Sequence, residues 1–301
     1  MDRLESMSML VAAADAGSIS AAARRLGRPL ATVSRRISDL EAHLGTRLLN
    51  RSSRRLTLTD AGRSYVAACQ RILEDVQEAE RAATGEYSAP RGQLTVTAPI
   101  VLGRLHVLPV VSEFLAAYPE IDIRMVLADR VVNLFEEQFD LAVRIGDLPD
   151  SSLIATRVGA IRRVICASPA YLSARGTPEN PNDLSQHDCV TFEGLMAPEA
   201  WTFTVGKTVM SVPIRSRLVI NTAEAAIDAA IAGLGLTRVL SYQVATALEV
   251  ARLAVVLEEF EPSPSPVSLV YGGGRLLPLK LRAFIDFAAP RLKAMFKESA
   301  R

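Results

Sequence analysis

Residues 26–59 read LGRPLATVSRRISDLEAHLGTRLLNRSSRRLTLT and constrain the fold more than any other stretch. An alanine-rich helix predicted over 20–26 runs into a break at Gly27, Arg28 and Pro29. A second helix follows. Its Val33, Ile37, Leu40 and Leu44 are spaced by four, three and four residues, so they share one apolar face that must be buried. Another face carries Ala31, Ser34, Arg35 and Ser38, a set unsuited to a core. Beyond Gly45 come Arg47, Arg51, Arg54 and Arg55, then the alternating strand Leu56-Thr57-Leu58-Thr59. Helix, turn, helix and basic hairpin describe a winged helix-turn-helix. In such a unit the second helix enters the DNA major groove and the hairpin touches the backbone or minor groove.

Charge supports that reading only when it is divided along the chain. The net charge of all 301 residues is +1, which alone argues against a nucleic-acid partner. Residues 1–63 hold 11 arginines and no lysine against 6 acids, a local charge of +5. A basic head on a mildly acidic body is the electrostatic footprint of local phosphate contact. A solvated basic face is the alternative for the arginines alone.

The flanks of the head also read as helices. The first spans about 4–16, with Leu4, Met7, Val11 and Ala14 facing inward. After the wing, Thr59 suits an N-cap and Asp60 the positive end of a long helix reaching about residue 86. On it Tyr65, Cys69, Ile72, Val76, Ala79 and Ala83 recur at alternating spacings of four and three, a coiled-coil seam for a homodimer or homotetramer. The alternative packs this face on its own domain. The breaker cluster Ser88-Ala89-Pro90-Arg91-Gly92 marks a boundary. The expected domains are therefore a DNA-binding head at 1–58, a linker helix at 59–89 and a third domain at 90–301.

From Gln93 onward strands and helices alternate, which predicts an α/β fold with a parallel sheet covered on both faces. Strands are expected over 94–97, 121–127 and 141–145, with helices over 109–118 and 131–137. A second subdomain opens at 163–167 with Ser168-Pro169-Ala170-Tyr171-Leu172 behind it. Asn221-Thr222-Ala223-Glu224 resembles a capping box, with Asn in the hydroxyl position. Pro262, Pro264 and Pro266 form a stiff crossover before a returning strand at 267–271 and a closing helix at 278–292.

The head is similar to the LysR-type transcriptional regulators. The residues that carry the likeness are Ala16-Gly17-Ser18, Ala21-Ala22-Ala23-Arg24-Arg25-Leu26, Val33-Ser34-Arg35, Leu40-Glu41, Leu44-Gly45, Leu48-Leu49-Asn50-Arg51 and Leu58-Thr59-Asp60-Ala61-Gly62. The remainder resembles the two-lobed effector domain of that family, shaped like a small periplasmic binding protein, through weaker motifs at 139–146, 168–172 and 282–287. Lobe I would hold about 91–161 and 267–301, and lobe II about 162–266. One departure matters. Many relatives open the recognition helix with Ser-Gln-Pro, and Pro29, Leu30 and Ala31 stand there instead. The hydroxyl cap is lost, at a cost of about 1 kcal/mol, and so is the usual base-reading glutamine.

The resemblance implies roles for named positions. Ala31, Ser34 and Arg35 approach base edges, with Leu30 and Thr32 flanking them. Arg35 either reads guanine or grips phosphate. Ser20 and Ala21 orient the head, and Arg51, Arg54 and Arg55 contact the backbone. In the effector domain, ligands of open α/β sheets sit beyond the carboxyl ends of strands. Those ends are Thr97-Ala98-Pro99-Ile100, where helical N–H groups favour an anion, then Asp129 and Arg130, then Arg144. Phe192 and Asn221 are expected from lobe II. Each has a structural alternative: Thr97 and Asn221 as helix caps, Arg130 as solvated surface, Arg144 in an ion pair with Asp129 or Asp147. Together they point to a small polar or anionic organic effector.

Other chemistries lack their residues. There is no G-x-S-x-G elbow, Walker loop or G-x-G-x-x-G loop, so no enzyme is expected. Gly272-Gly273-Gly274 reads as a turn. The three histidines and three cysteines show no metal-ligand spacing, and no cofactor is implied. Cys166 and Cys189 allow a redox-sensing regulator as an alternative, and the two-lobed pattern allows a transport-type solute-binding protein. The start of the chain reads as neither export signal nor anchor, and no run of 18 apolar residues is free of charge. The expectation is a cytoplasmic regulator with double-stranded DNA and a small effector as partners, and RNA polymerase if it activates.

Arginine–phosphate contacts release counterions, so the wing assignment has a direct consequence. Replacing Arg54 and Arg55 by Ala is expected to weaken binding to every DNA sequence and to flatten the slope of log affinity against log salt by about two contacts' worth. An unchanged slope in anisotropy titrations across salt concentrations contradicts the assignment.

Overall fold

The computed structural model describes residues 2–52, 55–84, 89–148, 153–192, 200–205, 208–273 and 277–298. The chain divides into two compact units, Met1–Ala89 and Pro90–Arg301. The first contains α1 (Arg3–Asp15), α2 (Ile19–Arg25), α3 (Leu30–Leu44), the strands β1 (Leu49–Ser52) and β2 (Arg55–Leu58), and α4 (Asp60–Thr84). Its core joins Met9, Leu10 and Ala13 of α1 to Ala22 and Ala23 of α2 and to Val33, Ile37 and Leu40 of α3. Leu48, Leu49 and Val66 close it from the wing side.

Two details of the inward faces differ from the periodicity reading. On α1 the buried residues are Ser6, Met9, Leu10, Ala12 and Ala13, whereas Leu4 is exposed and Met7, Val11 and Ala14 are only half-buried. The helix is rotated because Ser6 can be buried: its hydroxyl donates to the Asp2 carbonyl at 2.8 Å. On α3 the terminal Leu44 is exposed. Gly45, left-handed at φ +65°, ends the helix there and turns the chain toward the wing.

The junction of wing and α4 is fixed by a close approach. Thr59 caps α4, its Oγ1 accepting the Gly62 N–H at 2.9 Å while donating to the Arg47 carbonyl at 2.8 Å. A Cβ on Gly62 would lie 1.9 Å from the Leu48 carbonyl oxygen. The Leu58-Thr59-Asp60-Ala61-Gly62 run is therefore steric as well as polar: hydroxyl cap, then a residue without a side chain.

The second unit has two lobes, each built on a five-stranded sheet. Lobe I begins with β3 (Gly92–Ala98), α5 (Ile100–Leu102), a π turn at Gly103–Val107, α6 (Leu108–Ala117), β4 (Ile121–Leu127), β5 (Leu141–Ile145) and β6 (Leu153–Ile161). Lobe II contains β7 (Arg163–Ala167), α7 (Pro169–Arg175), β8 (Asp188–Phe192), the hairpin β9 (Ala200–Val205) and β10 (Thr208–Pro213), and β11 (Arg215–Ile220). It continues through α8 (Ala223–Ile231), β12 (Leu236–Leu240), α9 (Ser241–Glu249) and β13 (Ala254–Val256). The chain then re-enters lobe I as β14 (Ser265–Gly272) and α10 (Leu279–Glu298).

The sheets are mixed rather than parallel. Lobe I is ordered β4-β3-β5-β14-β6, with β14 antiparallel to both neighbours because it enters from the opposite end. Lobe II is ordered β11-β8-β12-β7-β13, with β7 antiparallel to β12 and β13. The helical run Ile100–Ala117 is apolar enough on composition to resemble a membrane span. It carries Arg104 and Glu113, and its Leu102, Val107, Val110 and Phe114 belong to the lobe I core.

Two predicted helical features are absent where expected. Residues 131–133 have no regular structure and 134–138 form a turn, so the helix expected over 131–137 is not made. The Asn133 side chain accepts from the backbone of Phe135 and Glu136, and left-handed Gln138 stops the single turn that begins. The cap of α8 is Thr222, whose Oγ1 accepts from Ala225 N, so the expected box through Asn221 and Glu224 is not made.

Gly62→Ala is expected to destabilise the first unit by about 3 kcal/mol, since carbonyl and Cβ cannot share that space. The sole tryptophan, Trp201, lies in the second unit. Urea unfolding followed by circular dichroism should then show an early loss of helix, while the Trp201 fluorescence transition stays in place. Wild-type behaviour by both signals contradicts the steric account.

Candidate functional site

The exposed face of α3 begins at a helix with no side-chain cap. Pro29 occupies the N-cap position and makes no capping bond. Leu30, Ala31, Thr32 and Arg35 are exposed and Ser34 is half-buried. Arg35 pairs only loosely with Asp39, at 4.0 Å, and its side chain is 84% exposed. Arg36 and Arg28 differ: both turn back to Glu5 of α1, at 3.3 and 3.6 Å. Neighbouring arginines thus divide into one held against the body of the head and one left reaching outward. Ser20 and Ala21 lie half-buried in the first turn of α2, where the cap is Ser18, accepting from Ala21 N at 3.3 Å.

The wing is anchored from below. Glu41 Oε1 on α3 accepts the backbone N–H groups of Leu48 and Leu49 at 2.8 and 3.0 Å. The wing strands pair antiparallel, with Arg51 opposite Leu56 and Ser52 opposite Arg55. Arg54 lies outside the described residues, as do the side chains of Arg51 and Arg55.

The seam of α4 splits in two. Cys69 is fully buried and Tyr65 packs on the head core, beside buried Val66. These positions serve their own unit, because the start of α4 lies against α1 and β2. Further along, Ile72 is 41% exposed, Val76 half-buried and Ala79 exposed. The backbone of Ala83 continues the helix, while its side chain lies outside the described residues.

In the second unit a cavity of about 150 Å³ lies between the lobes. Among the expected ligand residues, Pro99, Asp129, Arg130, Arg144 and Phe192 line it. Four others do not. Thr97 is buried with an unpartnered Oγ1, and Ala98 points into the lobe I core. Ile100 is off the wall, and its N–H is already taken by Asp129 Oδ1 at 2.9 Å, so the helix terminus is not open to an anion. Asn221 is exposed and away from the cavity.

The charged wall groups have different surroundings. Arg130 is paired with Glu137, and both groups are shifted toward their charged forms. Arg144 pairs with neither Asp129 nor Asp147; its Nη1 and Nη2 donate to the carbonyls of Arg130 and Val132, each at 3.3 Å. Burial pulls its guanidinium below the ordinary arginine range.

Several wall residues had no signal in the sequence, among them Arg163, Val239, Leu240, Tyr242 and Gln243. Arg163 opens an otherwise apolar strand, the one hint that it serves something other than packing. Tyr242 belongs to α9 in lobe II yet packs into the lobe I core, 5.5 Å from the His106 ring in an edge-to-face contact. Gln243 is held by accepting the Leu240 N–H at 2.9 Å.

The cysteines are core residues. Cys166 belongs to one apolar cluster of lobe II and Cys189 to another, on strands separated by β12. Both are fully buried, and burial pushes each thiol up to about 12. Thiols in that state are poor nucleophiles, which removes the basis for a redox-sensing pair.

Residues 4–63 match the family of bacterial regulatory helix-turn-helix proteins of the lysR type, and residues 88–293 match the LysR substrate binding domain. A HTH-type transcriptional repressor of Pseudomonas aeruginosa is 37% identical over 289 residues, spanning 95% of this chain and 91% of that protein. The HTH-type transcriptional activator AaeR of Escherichia coli is 31% identical over 293 residues, spanning 95% and 93%. Among solved structures, CrgA from Neisseria meningitidis has a TM-score of 0.61 at 29% identity and covers 96% of this chain and 98% of that one. The virulence activator AphB of Vibrio cholerae gives a TM-score of 0.61 at 29% identity, with 95% and 98% covered.

Proposed function

The chain belongs to the LysR family of transcriptional regulators, and we propose that it acts as a cytoplasmic homo-oligomer whose grip on double-stranded DNA is set by a small anionic organic effector. The observation that carries the DNA reading is the outward face of α3, with Ala31, Ser34 and Arg35 beside an anchored wing. Phosphate contacts position such a head and base contacts give it specificity. The wing arginines supply the first kind of contact and α3 the second. RNA polymerase is a further partner if the protein activates. A transport-type solute-binding protein has no use for a head at residues 4–63.

Oligomerisation is assigned to the outer part of α4. Ile72, Val76 and Ala79 keep the seam spacing and lie outside the head core on which Tyr65 packs, with Ile72 and Ala79 exposed and Val76 half-buried. The effector is assigned to the cavity between the lobes, where a ligand touching both can prefer one arrangement over another.

Ser34→Ala and Arg35→Ala are expected to relax discrimination between an operator selected from genomic fragments and competitor DNA. A bidentate arginine–guanine contact accounts for roughly 1–3 kcal/mol of discrimination. Equal losses on operator and competitor, measured in parallel gel shifts, contradict base reading by these residues.

Ile72→Glu costs the single chain little, because the side chain is already in part exposed. Buried across a symmetric seam, the same carboxylates are unpaired and costly. Sedimentation is expected to show dissociation with helix content unchanged; a wild-type assembly contradicts the seam.

A further inference from the structure

Two arginines face the interlobe cavity without an ion pair to a carboxylate among the described residues. Arg144 comes from β5 of lobe I and donates to two backbone carbonyls, while the Glu137 carboxylate that favours its charged form is already paired with Arg130. Arg163 is the first residue of β7 in lobe II, and among the described residues its side chain makes no hydrogen bond or ion pair. Both are half-buried, and burial alone depresses the Arg163 guanidinium. A cation removed from water without a counter-charge is costly unless something supplies one. The nearby Arg238 adds a second buried cation on that side, bonded to the Thr202 carbonyl at 2.7 Å and lying over the face of Phe203.

The other charged groups on the wall have bonded partners. Arg130 is matched by Glu137, and Asp129 is engaged with Ile100 N–H. The rest of the wall is largely apolar, with Ile145, Phe192, Val239 and Leu240. Its volume, about 150 Å³, is of the order that accepts one benzene ring in a protein interior.

We propose that the cavity takes a compact organic monoanion, its carboxylate held between Arg144 and Arg163 and its apolar body, about one ring in size, packed against Phe192, Val239 and Leu240. This deepens the effector reading above and rests on it for the location of the ligand. Each lobe contributes one guanidinium, so a single carboxylate joins the lobes by charge-assisted bonds. The anion is recognised by arginine side chains and not by the helix terminus at Ile100, which Asp129 occupies.

The test is calorimetric titration of the full-length protein with benzoate and with its neutral isostere benzamide, for wild type, Arg144→Met, Arg163→Met and Ala128→Leu. Ala128 lines the cavity, so the last variant fills it. Benzoate is expected to bind wild type and benzamide roughly ten- to a hundredfold more weakly. Each arginine variant should lose benzoate by a similar factor, with little change for benzamide, and Ala128→Leu should lose both. Thermal melts followed by Trp201 fluorescence establish that the variants are folded; Arg163→Met removes a half-buried charge that has no bonded partner among the described residues, and Arg144→Met also removes two bonds to backbone carbonyls, so a small loss of stability is expected there only. Equal binding of benzoate and benzamide overturns the anion assignment while leaving the cavity as the site. Benzoate binding that ignores all three variants places the ligand elsewhere and overturns the cavity reading itself. Absence of benzoate binding at millimolar concentrations overturns the assignment of size and charge.

Discussion

Among the described residues two backbone crossings join the lobes of the effector unit, and Arg162 ties one to the other. It is the single residue between β6 and β7. Its guanidinium donates to both carboxylate oxygens of Glu261, at 2.8 and 2.9 Å, and also pairs with Glu258, just ahead of the second crossing. Those carboxylates hold the guanidinium above its usual range. The Arg162 carbonyl in turn accepts the N–H of Ser241, the first residue of α9, at 2.9 Å. Crossing one, crossing two and the start of α9 are therefore bonded to one another. Three wall residues adjoin that junction: Arg163 and Ser265 follow the two crossings directly, and Tyr242 follows Ser241.

Tyr242 links the cavity to the lobe contact. Its side chain leaves lobe II and fills part of the lobe I core, beside Leu102, His106 and Phe296. His106 sits in a π turn with Nε2 buried and unpartnered, and burial holds its imidazole below its ordinary pKa. Packed cores respond to displacement by switching between arrangements rather than by bending, so a ligand touching Tyr242 reports on how the lobes meet. A ligand can shift that equilibrium only by its own preference between arrangements. Arginines from both lobes are a physical source of such a preference.

The head was legible in the sequence because its contacts are local and helical. Val33, Ile37 and Leu40 fall inward as the period requires, and the Thr59 cap follows from residue type. Where the reading failed, the deciding contact was one that period and propensity do not contain. Ser6 is buried through a bond to a backbone carbonyl, which rotates α1. Asn133 diverts its own backbone from a helix that composition favours. The parallel sheet was expected from alternating elements, yet the return of β14 through the second crossing makes it mixed. Asp129, Arg130 and Arg144 were expected because they lie at or beyond the carboxyl ends of strands, and all three line the cavity. Thr97 was not a wall residue because β3 directs it to a buried position opposite Ala142. Arg163 was missed because its meaning lies in what it lacks: among the described residues no acid pairs with it, and only the folded chain shows that.

The central claim is that occupancy of the cleft and grip on DNA are linked. Linkage is reciprocal, so the factor by which a ligand changes DNA affinity must equal the factor by which DNA changes ligand affinity. The direct measurement is a pair of titrations on the full-length protein: operator affinity with and without a saturating carboxylate that binds through Arg163, and affinity for that carboxylate with and without operator. Two equal factors, both different from one, are the predicted result. A carboxylate that binds equally well to free and operator-bound protein would contradict the account, because the cleft would then be a binding site that regulates nothing.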